Sequence, residues 1–217
     1  MDLFSATVHG ELRLGASLTI GEYLLPYYLG DFINKYPNVS LMMKIYNSHQ
    51  IIEKLINQEI DLGFIEATIP HKSIESIPFL EDELVIISSV AHHFPLLEKE
   101  AIQPEDLFSL PIIMREKGSG TRQVLEENLL NSNFDPNNLN VILELENTES
   151  IKSAVKSGLG VSIISKTAII KETDLGILRK TNINGVNLKR YFYILNKKQI
   201  LSPACDAFRE LFLSSCR

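Results

Sequence analysis

The sequence predicts an α/β fold built from two similar lobes. Patterns typical of strands and of helices alternate along almost the whole chain, as they do in sheets with mostly parallel strands. A strand–turn–helix unit near residue 11 is followed by a second such unit near residue 111, which favours two lobes over one sheet. At 217 residues the chain can bury a core without disulfides or metals.

The first lobe is predicted from apolar residues that recur with the period of a strand or of a helix. Residues 11–16 alternate between polar and apolar side chains and are expected to form a strand. After a turn at residues 17–21, Leu25, Leu29 and Phe32 recur at helical spacing and predict a helix to about residue 36. Pro26 is acceptable in a first turn, whose amide hydrogens lack intrahelical partners. Further elements are expected at residues 39–46 (strand), 48–57 (helix), 60–65, 74–80 and 84–88 (strands).

The second lobe repeats this order of elements. A short helix is expected at residues 104–110, and a glycine-containing turn at residues 115–120 separates a strand from a helix. Gly158 is expected to end another helix. The predicted elements are strands 111–114, 141–145 and 160–164 and helices 121–130 and 148–157, followed by strand 188–195 and a last helix over residues 203–213.

These elements divide the chain into an interrupted lobe and an inserted one. We expect the first lobe at residues 10–86 and 187–217 and the second at residues 87–186. The chain would cross between them near Ile87-Ser88 and near Asn184-Gly185, so that two strands form a hinge.

The charge distribution argues against direct binding to DNA. The chain carries 27 acidic and 21 basic side chains, a net charge of −6, and lacks the basic stripe that phosphate contacts require. The basic pairs Arg179-Lys180, Lys189-Arg190 and Lys197-Lys198 are interpreted as solvated faces. Without a membrane-length apolar run or a signal-peptide pattern, the protein is predicted to be cytoplasmic and not to bind a membrane.

Signals for catalysis, metals and cofactors are weak. Cys205 and Cys216 are eleven residues apart. If both lie on the last helix, they are separated by about 16 Å along its axis, so they are expected to be unpaired thiols. His92-His93 lies in a loop and does not have metal-ligand spacing. The sequence shows no zinc-protease motif, no nucleophile elbow and no credible nucleophile–base pair. We therefore predict a protein that is not an enzyme and needs no cofactor or metal.

The most informative segment is the turn at residues 115–122. Gly118, Ser119 and Gly120 open a predicted helix, whose first amide hydrogens and dipole favour an anion. The hydroxyls of Ser119 and Thr121 could donate to an oxyanion. The alternative is that either residue only caps the helix. The segment lacks the spacing of a phosphate-binding P-loop.

Three further positions share this setting at the start of a predicted helix or the end of a predicted strand. The first turn contains Ser17, Leu18 and Thr19, and Thr148 begins another helix. Open α/β sheets bind ligands at such strand ends, although Ser17, Thr19 and Thr148 could also be ordinary helix caps. Glu66 follows a buried strand, and three roles stay open for it: pairing with Arg115 or Arg122, accepting a hydrogen bond from a ligand, or solvation at a strand end.

The ordered set of motifs resembles the effector-binding domain of LysR-type transcription regulators. The resemblance rests on Gly10-Glu11-Leu12-Arg13-Leu14-Gly15, Leu25-Pro26, Phe32-x-x-x-Tyr36-Pro37-x-Val39, Ile60-Asp61-Leu62-Gly63-Phe64 and the segment from Ser157 to Ile164. Three further segments, at residues 64–66, 115–122 and 147–152, resemble a branch that includes regulators of sulfite reduction and of carbon fixation.

This resemblance implies a type II periplasmic-binding-protein fold with two Rossmann-like lobes and a ligand between them. It implies that Ser17, Leu18, Thr19 and Glu66 line one wall and that Gly118, Ser119, Gly120, Thr121 and Thr148 line the other. Residues 1–9 would be the remnant of a linker helix. The effector is expected to be a small anion, with a sulfur oxyanion such as sulfite or sulfate as the first choice. The domain is expected to form a homodimer or tetramer and to reach DNA only through an absent N-terminal winged helix-turn-helix.

Two alternatives share this fold. One is the solute-binding protein of a transporter, which would need export or anchoring. The other is an enzyme similar to a phosphoribosyltransferase, which would need magnesium and a phosphate-rich substrate.

Overall fold

The computed structural model describes residues 8–67 and 70–216. Of the expected linker remnant at residues 1–9, residues 1–7 thus lie outside the described part. The described chain divides into two compact units. Unit 1 comprises the described residues up to Glu81 and from Tyr191 onward, and unit 2 comprises Asp82–Arg190.

The elements follow one another in the alternating order expected of an α/β chain. Unit 1 begins with β1 (Gly10–Ala16), α1 (Leu18–Tyr23), α2 (Leu25–Lys35), β2 (Val39–Ile45), α3 (Ser48–Ile56), β3 (Leu62–Ile65) and β4 (Ile74–Ser89), which continues into unit 2. Unit 2 adds β5 (Ala101–Ile102), α4 (Pro104–Leu107), β6 (Ile112–Arg115), α5 (Gly120–Asn131), β7 (Val141–Leu145), α6 (Thr148–Lys156), β8 (Ser162–Ser165), α7 (Ile170–Asp174) and β9 (Leu178–Ile183). The chain returns to unit 1 within β10 (Lys189–Lys197) and ends with α8 (Pro203–Ser215).

The sheet of unit 1 has the order β2-β1-β3-β10. Strand β1 is parallel to β2 and to β3, with Leu14 opposite Leu62 and Ala16 opposite Phe64, whereas β10 is antiparallel to β3. Parallel strands end at the same edge of a sheet. The starts of α1 and α3 and the residue after β3 therefore all lie at one edge, the carboxyl edge of the unit 1 sheet.

An aromatic cluster fills the core on one side of this sheet. Phe64 of β3 meets Phe212 edge-on at a centroid distance of 5.1 Å, and Phe32 of α2 meets Phe208 at 4.9 Å. Such pairs contribute about 0.5–1.5 kcal/mol each beyond the area that they bury. Ala204, Cys205, Phe208 and Phe212 recur at helical spacing and form the buried face of α8.

Unit 2 contains strands of a mixed sheet and a separate two-stranded sheet of β6 and β7, with helices packed against them. Strand β4 pairs antiparallel with β8 and with β9, while β6 pairs parallel with β7 and Ile112 bridges Val161 in parallel. Val85, Ile113 and Ile151 belong to a shared buried cluster. Because β6 and β7 are parallel neighbours, helices α5 and α6 start at the same edge.

The structure departs from the predicted elements in several places, and β5 and α7 are among the elements that were not predicted. The helix expected up to residue 36 is two helices, because Pro26 has no amide hydrogen to continue α1 and instead lies in the first turn of α2. The strands expected at residues 74–80 and 84–88 are one strand, in which Asp82 is buried between exposed Glu81 and half-exposed Glu83. Strand β9 was missed because Arg179-Lys180 masks its alternation. The expectation of two unpaired thiols, Cys205 and Cys216, is confirmed.

Candidate functional site

The predicted residues of unit 1 meet at the carboxyl edge of its sheet. Ser17 follows β1 at the start of α1, and Glu66 follows β3. Ser17 Oγ donates a hydrogen bond to Glu66 Oε1 over 3.0 Å, and the backbone N–H of Thr19 donates to the same oxygen over 3.2 Å. Leu18 is the first residue of α1. The first turn of α1 is thus held by a carboxylate of the same unit.

Glu66 is only 1% exposed, so the interpretation of this residue as a solvated strand end is wrong. A buried carboxylate is stable only with hydrogen bonds or charges that compensate its desolvation, and Ser17 and Thr19 supply two of these bonds. The two cations considered as its partners form ion pairs within unit 2. Arg115 pairs with Glu116, and Arg122 pairs with Glu126 and Glu144.

The predicted anion turn of unit 2 opens helix α5. Gly118 has a φ of +90°, a backbone conformation that residues with a Cβ rarely adopt. Ser119 occupies the N-cap position, and Gly120 and Thr121 are the first helical residues. Ser119 and Thr121 are 2% and 3% exposed. The chain therefore turns sharply into α5, and two buried hydroxyl groups lie at the start of this helix.

Helix capping does not account for these hydroxyls. The side chains of Asn47, Asn147 and Ser202 cap α3, α6 and α8 by accepting a backbone N–H. In contrast, the side chains of Ser17 and Ser119 make no cap bond. Thr148, 2% exposed, is the first residue of α6 because Asn147 takes the cap position, so its expected alternative role as the N-cap is wrong.

Ser119 Oγ has no hydrogen-bond partner among the residues that the structure describes. A buried hydroxyl without a partner costs about 1–3 kcal/mol, and such groups usually bond to water or to a ligand. This hydroxyl lies at the start of a twelve-residue helix, where the helix dipole favours an anion. The turn is therefore suited to accept an oxyanion as the missing partner.

A buried cation that sequence reasoning missed joins this turn. Arg190 of β10 donates from Nη1 to Thr121 Oγ1 over 3.2 Å and from Nε to Asp82 Oδ2 over 2.8 Å. The interpretation of Lys189-Arg190 as a solvated pair is thus wrong for Arg190, which is 6% exposed. The period-two alternation of β10 was the available signal, because it places Arg190 and Phe192 inward and Lys189 and Tyr191 outward.

Asp82 holds the guanidinium in a fixed orientation. Its Oδ1 accepts hydrogen bonds from Ser165 Oγ at 2.8 Å and from Thr167 Oγ1 at 3.0 Å, which leaves Oδ2 for Arg190. The side chains of Arg190 and Asp82 are 3% and 1% exposed. A charge held in this way needs little reorganisation when it meets an anion, and hydrogen bonds from a cation are stronger than neutral ones.

These contacts are suited to the binding of an anion. The unit 2 group of Arg190, Thr121, Ser119 and the amino end of α5 supplies a positive charge and hydroxyl and amide donors. Throughout residues 8–67 and 70–216, no three His, Cys, Asp or Glu side chains are placed to hold a metal ion. None of the described helices is long and apolar enough to cross a membrane.

Comparison with known proteins identifies relatives over nearly the whole chain. A family model described as the LysR substrate binding domain matches residues 5–217. A probable RuBisCO transcriptional regulator of Trichormus variabilis is 38% identical over 208 residues, which cover 94% of this chain and 61% of that protein. The corresponding protein of Cyanophora paradoxa is 38% identical over 209 residues, with 94% and 64% covered. The chain thus spans a little over six tenths of the length of these relatives.

A solved structure resembles the fold closely. The regulatory domain of CcmR from Synechocystis PCC6803, in complex with 2-PG, superposes with a TM-score of 0.86 at 32% sequence identity. The match covers 96% of this chain and 98% of that one. The predicted type II periplasmic-binding-protein fold is confirmed by this likeness.

Proposed function

Since the chain belongs to the LysR substrate-binding domain family, we propose that it is the effector-sensing part of a transcription regulator whose effector is a small phosphorylated carboxylate. The observation that carries the proposal is the unit 2 group. In this group Arg190, fixed by Asp82, bonds Thr121 near the Ser119 hydroxyl, which has no partner among the described residues. Its charge and donors suit a phosphate or carboxylate oxygen.

The solved relative supports a phosphorylated carboxylate in place of the sulfur oxyanion that was expected from the sequence. CcmR, at 32% identity, holds 2-PG, which is 2-phosphoglycolate. The branch resemblance included regulators of both sulfite reduction and carbon fixation, and the same hydroxyl and amide donors can bind oxygen atoms on sulfur or on phosphorus. The donor types alone could not separate the two classes.

Both predicted groups of residues are included in the proposal. Ser119 and Thr121, with Arg190, would bind the phosphate or carboxylate oxygens, and Ser17, Thr19 and Glu66 of unit 1 are proposed to contribute to effector binding. A ligand shifts an equilibrium between two conformations only by the difference in its affinity for them. We propose that this difference controls DNA binding by the winged helix-turn-helix of a longer, oligomeric and cytoplasmic protein, without any catalytic step.

Titration calorimetry with 2-phosphoglycolate tests this function. We expect one molecule of 2-phosphoglycolate to bind per chain. The Kd values for glycolate and for inorganic sulfate should be at least tenfold higher. No heat of binding with 2-phosphoglycolate, or equal affinity for sulfate, would contradict the proposed effector class. Turnover of 2-phosphoglycolate in the same sample would contradict a purely sensory role.

A further inference from the structure

Unit 1 contains a cavity that lies apart from Ser17 and Glu66, the residues of this unit that are proposed to bind the effector. Its cavity has a volume of about 340 Å³, within the range of small-molecule sites. Arg13 of β1 and Asp61, just before β3, lie in its wall, whereas Ser17 and Glu66 follow the carboxyl ends of these two strands. At about 3.3 Å per residue, the four residues of β3 separate Asp61 from Glu66 by more than 13 Å.

The charged wall of this cavity is built around an anchored guanidinium. Arg13 donates from Nη2 to Asp61 Oδ1 over 2.7 Å and from Nε to Oδ2 over 3.2 Å, and its backbone N–H donates to Oδ2 over 2.8 Å. The hydrogen bond to Asp61 raises the pKa of Arg13. Within the described part of the chain, Arg13 Nη1 has no hydrogen-bond partner. The Nη1 donors of the Arg13 guanidinium are therefore available to a molecule in the cavity.

Lys197 adds a second positive charge to the wall. Its ammonium group forms no ion pair with any acid among the described residues, and the side chain is only partly exposed. Asp206, the acid in the first turn of α8, pairs with Arg209 over 2.9 Å and does not line the cavity. With Arg13 and Lys197 positive and Asp61 negative, the wall carries one net positive charge.

The rest of the lining combines the polar side chains of Gln58, Gln199 and Ser202 with an aliphatic part formed by Leu55, Ile60, Ile200 and Leu201. Leu55 and Ile60 are 1% and 6% exposed and contribute aliphatic surface. Burial raises the pKa of the Cys205 thiol to about 12, so this side chain is a neutral, weakly polar part of the wall. A single positive charge beside an aliphatic surface matches a monoanion with a hydrocarbon chain better than it matches a dianion such as a phosphate ester.

We propose that this cavity is a second small-molecule site, which binds the carboxylate of an aliphatic monocarboxylic acid through Arg13 and Lys197 and its chain against Leu55 and Ile60. This site is independent of the proposed effector group. Its occupant would contact β1 and β3, the two strands that lead to Ser17 and Glu66.

Protein-observed NMR titration with butanoate, hexanoate and octanoate tests the site, with hexanol as the uncharged control. We expect saturable shifts of the amide signals of Asp61, Ser202 and Cys205, affinity that rises with chain length, and no saturation with hexanol. Shifts confined to residues 118–121 would place the probe at the other group and overturn the proposal, as would the absence of saturation with all three acids.

Substitutions at two neighbouring lysines sharpen the test. Lys197→Met keeps the length of the side chain but removes the charge, and we expect it to raise the Kd for hexanoate about tenfold, because charge-assisted hydrogen bonds are the stronger class. Lys197→Arg should retain binding. Lys198→Met is the matched control, since Lys198 does not line this cavity. Equal affinities for Lys197→Met and Lys198→Met would overturn the proposal, whereas Thr121→Ala should leave hexanoate binding unchanged.

Discussion

Arg190 Nη1 donates to Thr121 Oγ1 over 3.2 Å, although the two residues are 69 positions apart in the sequence. The bond joins the last strand of the protein to the first turn of α5, next to a buried serine hydroxyl that lacks a described partner. The unit 2 group is therefore assembled by tertiary packing as much as by its local turn.

Removal of the Thr121 hydroxyl should weaken effector binding. We expect Thr121→Ala to raise the Kd for 2-phosphoglycolate about tenfold, the equivalent of about 1.4 kcal/mol, because the hydroxyl that positions Arg190 is lost. Titration calorimetry measures this change. Thr173→Ala is the matched control, since Thr173 Oγ1 donates to the backbone carbonyls of Ile169 and Ile170, at the start of its own helix. An unchanged Kd for Thr121→Ala would count against this group as the effector site.

Loss of the Ser17 hydroxyl should also weaken binding while leaving the fold intact. Ser17→Ala deletes one of the donors that orient Glu66, and we expect the Kd to rise several-fold, with a change in unfolding free energy of about 1 kcal/mol. Ser214→Ala, which removes an exposed hydroxyl on α8, is the control. If both variants bind with the affinity of the parent chain, the unit 1 residues do not contact the effector.

The ion pair between Asp82 and Arg190 should contribute strongly to stability. Asp82→Asn leaves the buried guanidinium without its counter-charge, and we expect the unfolding free energy to fall by about 3 kcal/mol. Chemical denaturation measures the loss. The exposed pair of Lys166 and Glu83, 3.8 Å apart, provides the comparison, because Lys166→Met should cost less than about 1 kcal/mol. Similar losses of unfolding free energy for both variants would show that burial does not strengthen the ion pair between Asp82 and Arg190.

The Cys205 thiol should react slowly with thiol reagents. Its pKa is raised to about 12 by burial, so at pH 8 only about one thiol in ten thousand is ionised, and the rate should rise about tenfold per pH unit below the pKa. The Cys216→Ser variant isolates this thiol. The same variant in denaturant, where the pKa returns to about 8.5, should react rapidly. Fast labelling of the folded variant at pH 8 would contradict the burial of Cys205.

Gly158 should tolerate a side chain less well than Gly176. Both have positive φ angles, of +81° and +64°, but a Cβ on Gly158 would lie 2.3 Å from His92 Cδ2, whereas a Cβ on Gly176 meets no atom within 4 Å. Both alanine variants carry the backbone cost of about 1 kcal/mol, and Gly158→Ala must also displace the imidazole. We expect a larger fall in the melting temperature for Gly158→Ala, and equal shifts would contradict the contact with His92.

The sequence could predict those parts of the site that depend on local order. Ser17 and Glu66 were placed at the ends of parallel strands by periodicity alone, and they meet for that reason. The role of Arg190 could not be inferred in this way, because its partners Asp82 and Thr121 come from distant segments. A charged pair also looks the same in a sequence whether it is buried or solvated, and only the alternation along β10 separated Arg190 from Lys189.

The same reasoning explains the errors in the fold. Glu81-Asp82-Glu83 looks like a polar break between two strands, yet β4 continues through it because Arg190, Ser165 and Thr167 compensate the buried carboxylate of Asp82. Such compensation comes from other elements. In contrast, the division of the helix at Pro26 is local, because it follows from one missing amide hydrogen.

Asp82 and Arg190, the first and last residues of unit 2, are bonded to each other. The two ends of unit 2 therefore lie next to each other. This arrangement allows the whole segment to be exchanged between related proteins. Grafting residues 82–190 between relatives requires only two adjacent junctions and carries Arg190, Thr121 and Ser119 across together. If the unit 2 group binds the effector as proposed, such an exchange would transfer its anion preference and leave the aromatic core around Phe64 unchanged.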